Sequence, residues 1–346
     1  MTKLIVQIPC LNEAETLPQT LADIPRDIPG ISRVEVLVID DGSMDGTRDI
    51  AIAHGVDHVI SNPVNKGLAY SFQRGIDACL ARGADIIVNT DGDNQYCGAD
   101  IVALVAPVLS GRADIVVGDR KTGQIEHFSS LKKRLQRLGT TFVSQMAEAD
   151  VRDAVSGFRA FSADAARALT VRSSFSYTTE TLIQAGKKRL TIASVPVRTN
   201  PVARPSRLFR SIPQFLVRSS QTMVRVYAMY EPLRLFLWLG IALMALGLLP
   251  VIRFVVDYLM GDGSGMVQSL ILGGVLFLMG VLSAMFAMIA DLVAYNRQLI
   301  ELTLERVRRI DDRQTLAEAQ IEETRFPEQE IRAELEELQS QITAAG

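Results

Sequence analysis

From residue 1 to about 200, short apolar runs alternate with amphipathic stretches. The runs are Leu4–Pro9, Val34–Asp40, His58–Ile60, Asp85–Thr90, Ala113–Val117 and Thr191–Val197. Each is short enough for a strand and too short for a helix of ordinary length. Helical periodicity fills the gaps, most clearly over Lys66–Arg82, where Leu68, Phe72, Ile76 and Leu80 fall on one face. Strands alternating with helices predict βαβ units, a mainly parallel sheet and an α/β fold. In such a sheet ligands bind beyond the carboxyl ends of the strands, which is where chemistry is to be sought.

The pattern changes toward the C-terminus. Leu235–Ile252 is an uncharged run of 18 residues and Met266–Ala290 one of 25. A helix needs about 20 apolar residues to cross a bilayer, and Arg234 and Arg253 can snorkel at the edges of the first run. The two runs predict a transmembrane hairpin. Its connection, Met260-Gly261-Asp262-Gly263-Ser264-Gly265, has no lysine or arginine, whereas Arg218, Arg225 and Arg234 precede it and Arg297, Arg306, Arg308 and Arg309 follow. The positive-inside rule then puts the N-terminal domain and both termini in the cytoplasm, as a multi-pass protein of the cytoplasmic membrane. Between Pro205 and Glu231 arginines interleave with Leu208, Ile212, Phe215, Leu216, Met223, Val226 and Met229, the pattern of amphipathic helices lying in the interface. Beyond Asn296 the chain is charged and helix-prone, with a modest apolar stripe and an interruption expected at Pro327; self-association into a homo-oligomer is left open for this tail. The expected organisation is an N-terminal α/β domain over 1–204, juxtamembrane helices over 205–231, the hairpin over 232–292 and the tail over 293–346.

Composition agrees with a membrane-attached protein. Hydrophobic residues make up 48% of the 346, and a net charge of −3 creates no field that recruits nucleic acid. Met1-Thr2-Lys3 leads into an apolar run too short for a signal sequence, so the N-terminal part is expected to remain in the cytoplasm. The three cysteines, Cys10, Cys79 and Cys97, lack metal-ligand spacing and read as reduced thiols. The three histidines are isolated, and no Walker loop, dinucleotide fingerprint, His-Glu-x-x-His or Gly-x-Ser-x-Gly occurs.

Polar groups gather at the carboxyl ends of the predicted strands. The first ends in Pro9-Cys10-Leu11-Asn12-Glu13, the second in Asp40-Asp41-Gly42-Ser43, the fourth in Asp91-Gly92-Asp93-Asn94-Gln95 and the fifth in Gly118-Asp119-Arg120. A single Asp-Gly-Ser is a turn and helix cap; four such edges together point to a site. Asp91 and Asp93 flank a glycine after a buried strand, where unpaired carboxylates repel and lose hydration. A hard divalent cation relieves both costs, since Mg2+ typically takes one or two carboxylates and substrate phosphate oxygens.

With these stretches in view the chain resembles glycosyltransferase family 2, and within it the dolichol- or polyprenyl-phosphate sugar synthases. The resemblance rests on Pro9–Glu13, Val38–Thr47, Asn65-Lys66-Gly67, Asp91–Gln95 and Ser156-Gly157-Phe158-Arg159-Ala160-Phe161, and covers roughly residues 3 to 210. It departs at Gly92, where many members carry alanine or a hydrophobic residue, and at Asp119, where many carry serine. The resemblance implies a GT-A fold and inverting transfer from a UDP- or GDP-sugar with Mg2+ or Mn2+. It implies that Pro9, Asn12, Glu13 and Asp41 line the base and ribose pocket, with Lys66 among the donor-binding groups. It implies Asp91, Asp93 and Gln95 as holders of metal and diphosphate, Arg120 with Lys132, Lys133 and Arg134 facing an acceptor phosphate, and Asp153, Ser156 and Arg159 shaping the acceptor side.

In such a displacement negative charge grows on the departing nucleoside diphosphate, so a bound cation stabilises the transition state more than the ground state. Arg204 and Arg207 either close over the diphosphate or form a juxtamembrane positive cluster. The Lys132–Arg137 segment either meets phosphate or is a solvated helix face. An alcohol acceptor needs a general base, and Glu180 is the candidate, its alternative being an acid at a helix N-terminus; an anionic lipid phosphate needs none. The expected function is transfer of a monosaccharide to polyprenyl phosphate. Transfer to a hydroxyl of a lipid or glycan is the alternative reaction, and a non-catalytic nucleotide-binding scaffold the alternative class.

Overall fold

A computed structural model describes residues 2–121, 130–171, 177–200, 221, 224–225, 227–261 and 267–344, with side chains described except at 130–138, 305, 308–309 and 311–344. The chain forms two compact units, Met1–Pro205 with Glu305–Gly346, and Ser206–Leu304.

The first unit is built on a seven-stranded sheet of order β3-β2-β1-β4-β6-β5-β7. The strands are β1 (Lys3–Cys10), β2 (Arg33–Asp40), β3 (His58–Ser61), β4 (Ile86–Asn89), β5 (Ile115–Asp119), β6 (Arg159–Ser162) and β7 (Ile192–Pro196). All six expected strands are present. The seventh, β6, was not legible: it is four residues long, opens on an arginine and has no alternation to mark it. It runs antiparallel to both neighbours, pairing Ile87 with Phe161 and Val116 with Ala160, while the other pairs are parallel.

Both faces of the sheet are covered, as parallel strands require. Leu4, Val6, Ile8, Val36, Val38 and Val88 pack on one face with Leu17 of α1 (Leu17–Ala22) and Leu104 and Val105 of α4 (Ile101–Leu109). Ile5, Leu37, Ile39, Ile87 and Phe161 pack on the other with Phe72, Ile76 and Leu80 of α3 (Leu68–Ala81). The period-two alternation of β1 is thus a division between two cores. Helix α3 stops in a Schellman arrangement: Gly83, at φ 71°, donates to Leu80 O at 2.9 Å and Ala84 to Cys79 O at 3.1 Å. Helices α2 (Thr47–Ala53), α5 (Ser130–Ala147), α6 (Ala163–Ala168) and α7 (Tyr177–Lys187) complete the unit.

After β3 the chain returns across β1 to form β4 on its other side. The ends of β1 and β4 therefore flank a topological switch point, where open α/β sheets hold their ligands.

In the second unit, α8 (Pro232–Leu259) and the apolar stretch Val267–Leu304 of α9 are each long enough to cross a bilayer. Their surfaces expose Trp238, Leu249, Leu278 and Ile289 among many large apolar side chains, which suits lipid and not water. Glycines make the seam between them. A Cβ on Gly240 would stand 2.7 Å from Gly280 O, and one on Gly247 2.6 Å from Gly273 O, so the backbones touch only because no side chains intervene. Ser283 Oγ adds a hydrogen bond to Phe236 O at 3.0 Å, and the Arg297 guanidinium lies 4.3 Å over the Tyr230 ring. Helix α9 spans Val267–Ala344 and passes through Pro327, where an interruption was expected; one proline, costing about 3 kcal/mol, kinks or weakens a helix of this length without ending it.

Candidate active site

Asp91 and Asp93 follow β4 at the switch point. The turn that carries them is tightly determined. Asn94 takes φ 56°, Gln95 N donates to Asp93 Oδ1 at 3.0 Å, and Gln95 O accepts from Asn200 N at 2.9 Å. Gly92 O accepts from Thr16 Oγ1 at 2.8 Å, and the same hydroxyl lies 3.0 Å from Glu13 Oε2, so the ends of β1 and β4 are tied together. A Cβ on Gly92 would stand 2.7 Å from Cys10 Sγ. The departure noted at Gly92 thus comes with Cys10 beneath it: an added Cβ would force that thiol to shift.

Asp91 Oδ1 and Oδ2 lie against Gly157, 3.1 and 3.2 Å from where a Cβ would be. The Gly157 peptide is held on both sides. Its N–H donates to Tyr96 Oη at 3.1 Å, and its carbonyl accepts from Asn89 Nδ2 at 2.8 Å. Asn89 also donates to Tyr177 Oη at 2.9 Å and accepts from Gln7 Nε2 at 3.0 Å. Tyr177 stacks on Phe72, with ring centroids 4.0 Å apart. Burial first, then the neighbouring Asp93 charge, pushes the Asp91 carboxyl up to about 7, with Arg120 pulling the other way.

Arg120 follows β5 and is paired with Asp153. Its Nε donates to Asp153 Oδ2 at 2.7 Å and its Nη2 to Oδ1 at 3.1 Å. Burial opposes the Arg120 charge, but Tyr96, Asp153 and Asp91 outweigh it and hold its pKa above the usual value. Arg159 lies fully buried in β6, and burial lowers it to about 10, which leaves it charged at neutral pH. It donates to Ser156 O, Ala154 O, Thr178 O and Thr181 Oγ1 at 2.7–2.9 Å.

The remaining expected residues fall as follows. Pro9 is buried near the end of β1, and Asn12, at φ 53°, accepts from Met44 N on Oδ1 at 2.9 Å. Glu13 N donates to Thr47 Oγ1 at 2.9 Å. Asp41 is buried and accepts from Asn62 Nδ2, Lys66 N and Gly67 N at 2.7–2.9 Å, which fastens the segment entering α3. The Lys66 side chain is exposed; its backbone N–H is what reaches Asp41. Ser156 is fully buried beside Tyr96. Glu180 is buried in the first turn of α7 and accepts from Gln184 Nε2 at 3.3 Å. Lys132, Lys133 and Arg134 lie on α5 with side chains outside the described residues, and Arg204 and Arg207 lie outside them altogether, as does most of the expected amphipathic segment. The sequence reading gave no roles to Gln7, Asn89, Tyr96, Gly157 and Tyr177; polar residues inside the apolar strands β1 and β4 were the one available signal.

Among the described residues no three carboxylate, imidazole or thiolate groups form a preformed metal cage. Two adjacent carboxylates, one of them poorly compensated, nonetheless suit a hard divalent ion whose coordination is completed by substrate phosphate oxygens.

The sequence profile described as Glycosyl transferase family 2 matches residues 5–170. The undecaprenyl-phosphate mannosyltransferase of Micrococcus luteus is 30% identical over 173 residues, covering 48% of this chain and 69% of that protein. Glycosyltransferase AglJ of Haloferax volcanii is 28% identical over 319 residues, covering 88% of this chain and 96% of that one. Among solved structures, glucosyl-3-phosphoglycerate synthase of Mycobacterium tuberculosis with Mn2+, UDP-glucose and phosphoglyceric acid superposes with a TM-score of 0.51 at 23% identity, over 66% of this chain and 79% of that one. The sheet is thus of the GT-A type.

Proposed function

The chain belongs to glycosyl transferase family 2, and from that premise we propose that it transfers a monosaccharide from a UDP- or GDP-sugar to a polyprenyl phosphate at the cytoplasmic face of a membrane. The observation that carries this reading is the placement of an anionic pair, Asp91 and Asp93, beside a cationic group, Arg120, at one edge of the sheet. The donor diphosphate belongs with the first through Mg2+ or Mn2+, and the acceptor phosphate with the second.

The bound cation supplies neutralisation of the charge that develops on the leaving diphosphate. Asp91 and Asp93 would hold it, and Gly157 leaves them room. Among the described residues Arg120 spends two of its five N–H donors on Asp153 and has the other three for an anion. It thereby lowers the repulsion between acceptor phosphate and donor and brings the attacking oxygen toward the sugar.

A phosphate acceptor is favoured over a hydroxyl by the state of the carboxylates. Asp153 accepts from Arg120 on both oxygens, and Glu180 is turned into the protein toward Gln184. A hydroxyl would need one of them as base, whereas a lipid phosphate is already anionic. The named substrate of the Micrococcus relative agrees, and the two apolar helices would keep the enzyme where such an acceptor resides. The test is incubation of purified protein with undecaprenyl phosphate and each of a panel of radiolabelled UDP- and GDP-sugars, reading label in the organic phase. Divalent-dependent extraction of one sugar is expected. Label that appears only on a glycan or lipid hydroxyl overturns the acceptor assignment.

A further inference from the structure

Within the loop between α5 and β6, the segment 153–158 that leads into β6 is buried with one exception. Asp153 and Ala154 are 1% exposed and Ser156 and Phe158 0%, yet Val155 is 47% exposed. A single exposed valine on a surface loop ordinarily means nothing. Here the backbone on both sides of it is clamped. Arg159 Nη2 donates to Ala154 O at 2.9 Å and Nε to Ser156 O at 2.8 Å, the carbonyls that flank Val155. The same guanidinium is fixed through Nη1 to Thr178 O and Thr181 Oγ1 in the first turn of α7. The loop cannot rotate Val155 inward without breaking hydrogen bonds to a buried charge, a change that costs more than an exposed isopropyl group gains by burial.

Its position is informative. Two residues before it, Asp153 holds Arg120; two residues after it, Gly157 rests against the Asp91 carboxylate. A stiff, β-branched apolar side chain thus stands exposed in the chain between the residue that holds Arg120 and the one that rests against Asp91. A molecule suited to that arrangement is amphiphilic at short range, with phosphate followed directly by hydrocarbon.

We propose that Val155 is a specificity-determining residue for the acceptor, touching the hydrocarbon that adjoins the phosphate held by Arg120. The inference rests on the polyprenyl-phosphate reading, since a glycan hydroxyl offers no apolar segment at that point. Arg159 is the positioning residue that keeps Val155 outward.

The test uses full-length protein in lipid nanodiscs with undecaprenyl phosphate and the nucleotide sugar that the wild type accepts. Val155→Ser is expected to raise the acceptor KM roughly five-fold, the scale of one lost apolar contact. Val155→Ile is expected to restore it. The donor KM and the slow transfer of sugar to water should be unchanged in both, which reports an intact donor site. An unaltered acceptor KM in Val155→Ser overturns the inference and leaves the acceptor reading standing. Equal loss of transfer to water also overturns it, by showing a distorted loop. A wild type that transfers to no polyprenyl phosphate fails the underlying reading and this inference with it.

Discussion

Gly157 lies against the Asp91 carboxylate so closely that a methyl group there would stand 2.7 Å from Tyr177 Oη and 3.1 Å from Asp91 Oδ1. Backbone conformation is not the reason for glycine, because this residue has no positive φ. Space is. Gly157→Ala should push Asp91 off its position while the Tyr96 and Asn89 hydrogen bonds resist the shift of the peptide. The expected cost is about 1–3 kcal/mol of stability, as for other overpacked sites, together with weaker half-saturation by Mn2+. Thermal melts with and without metal measure both. An alanine variant with unaltered Mn2+ dependence would show that the glycine does not shape the metal site.

The raised pKa of Asp91 makes a stability prediction with a definite sign. Its carboxyl titrates near 7 in the folded chain, against about 3.9 in an unfolded one. Protonation therefore favours the fold, and this contribution is complete below pH ~4 and lost as the pH rises through about 7. A divalent ion reverses the situation by stabilising the ionised form, in competition with protons. Mn2+ should raise the melting temperature more at pH 7.5 than at pH 5.5, and Asp91→Asn should abolish both the shift and its pH dependence. Equal shifts at the two pH values would count against Asp91 as a ligand.

Two adjacent glycines give a paired test of the helix seam. A Cβ on Gly273 would meet Gly247 O at 2.7 Å and Val251 Cγ2 at 2.8 Å, whereas one on Gly274 would meet nothing within 4 Å. Gly273→Leu should separate α8 from α9 and lower resistance to SDS denaturation, while Gly274→Leu should not. Similar behaviour of the two variants would mean that close backbone approach does not hold the hairpin together.

The sheet and the two apolar helices were legible because hydrophobic periodicity is a local signal. Strand β6 was not, since Arg159-Ala160-Phe161-Ser162 owes its strand conformation to β4 and β5 on either side of it. The acidic turn at Asp91 was readable for the same reason as the sheet, standing directly after an apolar run. Its support was not: Tyr96, Gly157 and Tyr177 are brought to Asp91 by the fold from separate elements. Asp41, expected to line the base and ribose pocket, and Arg159, expected to shape the acceptor side, make most of their contacts with backbone groups. That distinction lies in hydrogen-bond partners, which a sequence does not record.

The Arg120–Asp153 pair carries the sharpest prediction about the acceptor. The carboxylate is 1% exposed and the guanidinium 11%, so the pair is held largely away from water. Removing one partner of such a pair leaves an uncompensated charge. Asp153→Asn preserves shape but turns an amide N–H2 toward a guanidinium, which has no acceptor to receive it. Arg120 should then swing from its place, and kcat/KM for polyprenyl phosphate should fall about 10- to 100-fold, the scale of a lost charge-assisted hydrogen bond. Arg120→Lys should fall comparably, because an ammonium cannot make the two-point contact with Asp153 and also present the remaining donors. The donor KM should stay within about two-fold in both variants if the nucleotide is held, as proposed, by β1, β2 and the Asp91 turn. Steady-state kinetics with each substrate varied in turn separates the two effects. If both variants lose donor and acceptor affinity together, Arg120 serves the diphosphate; if neither changes, the pair is only part of the scaffold.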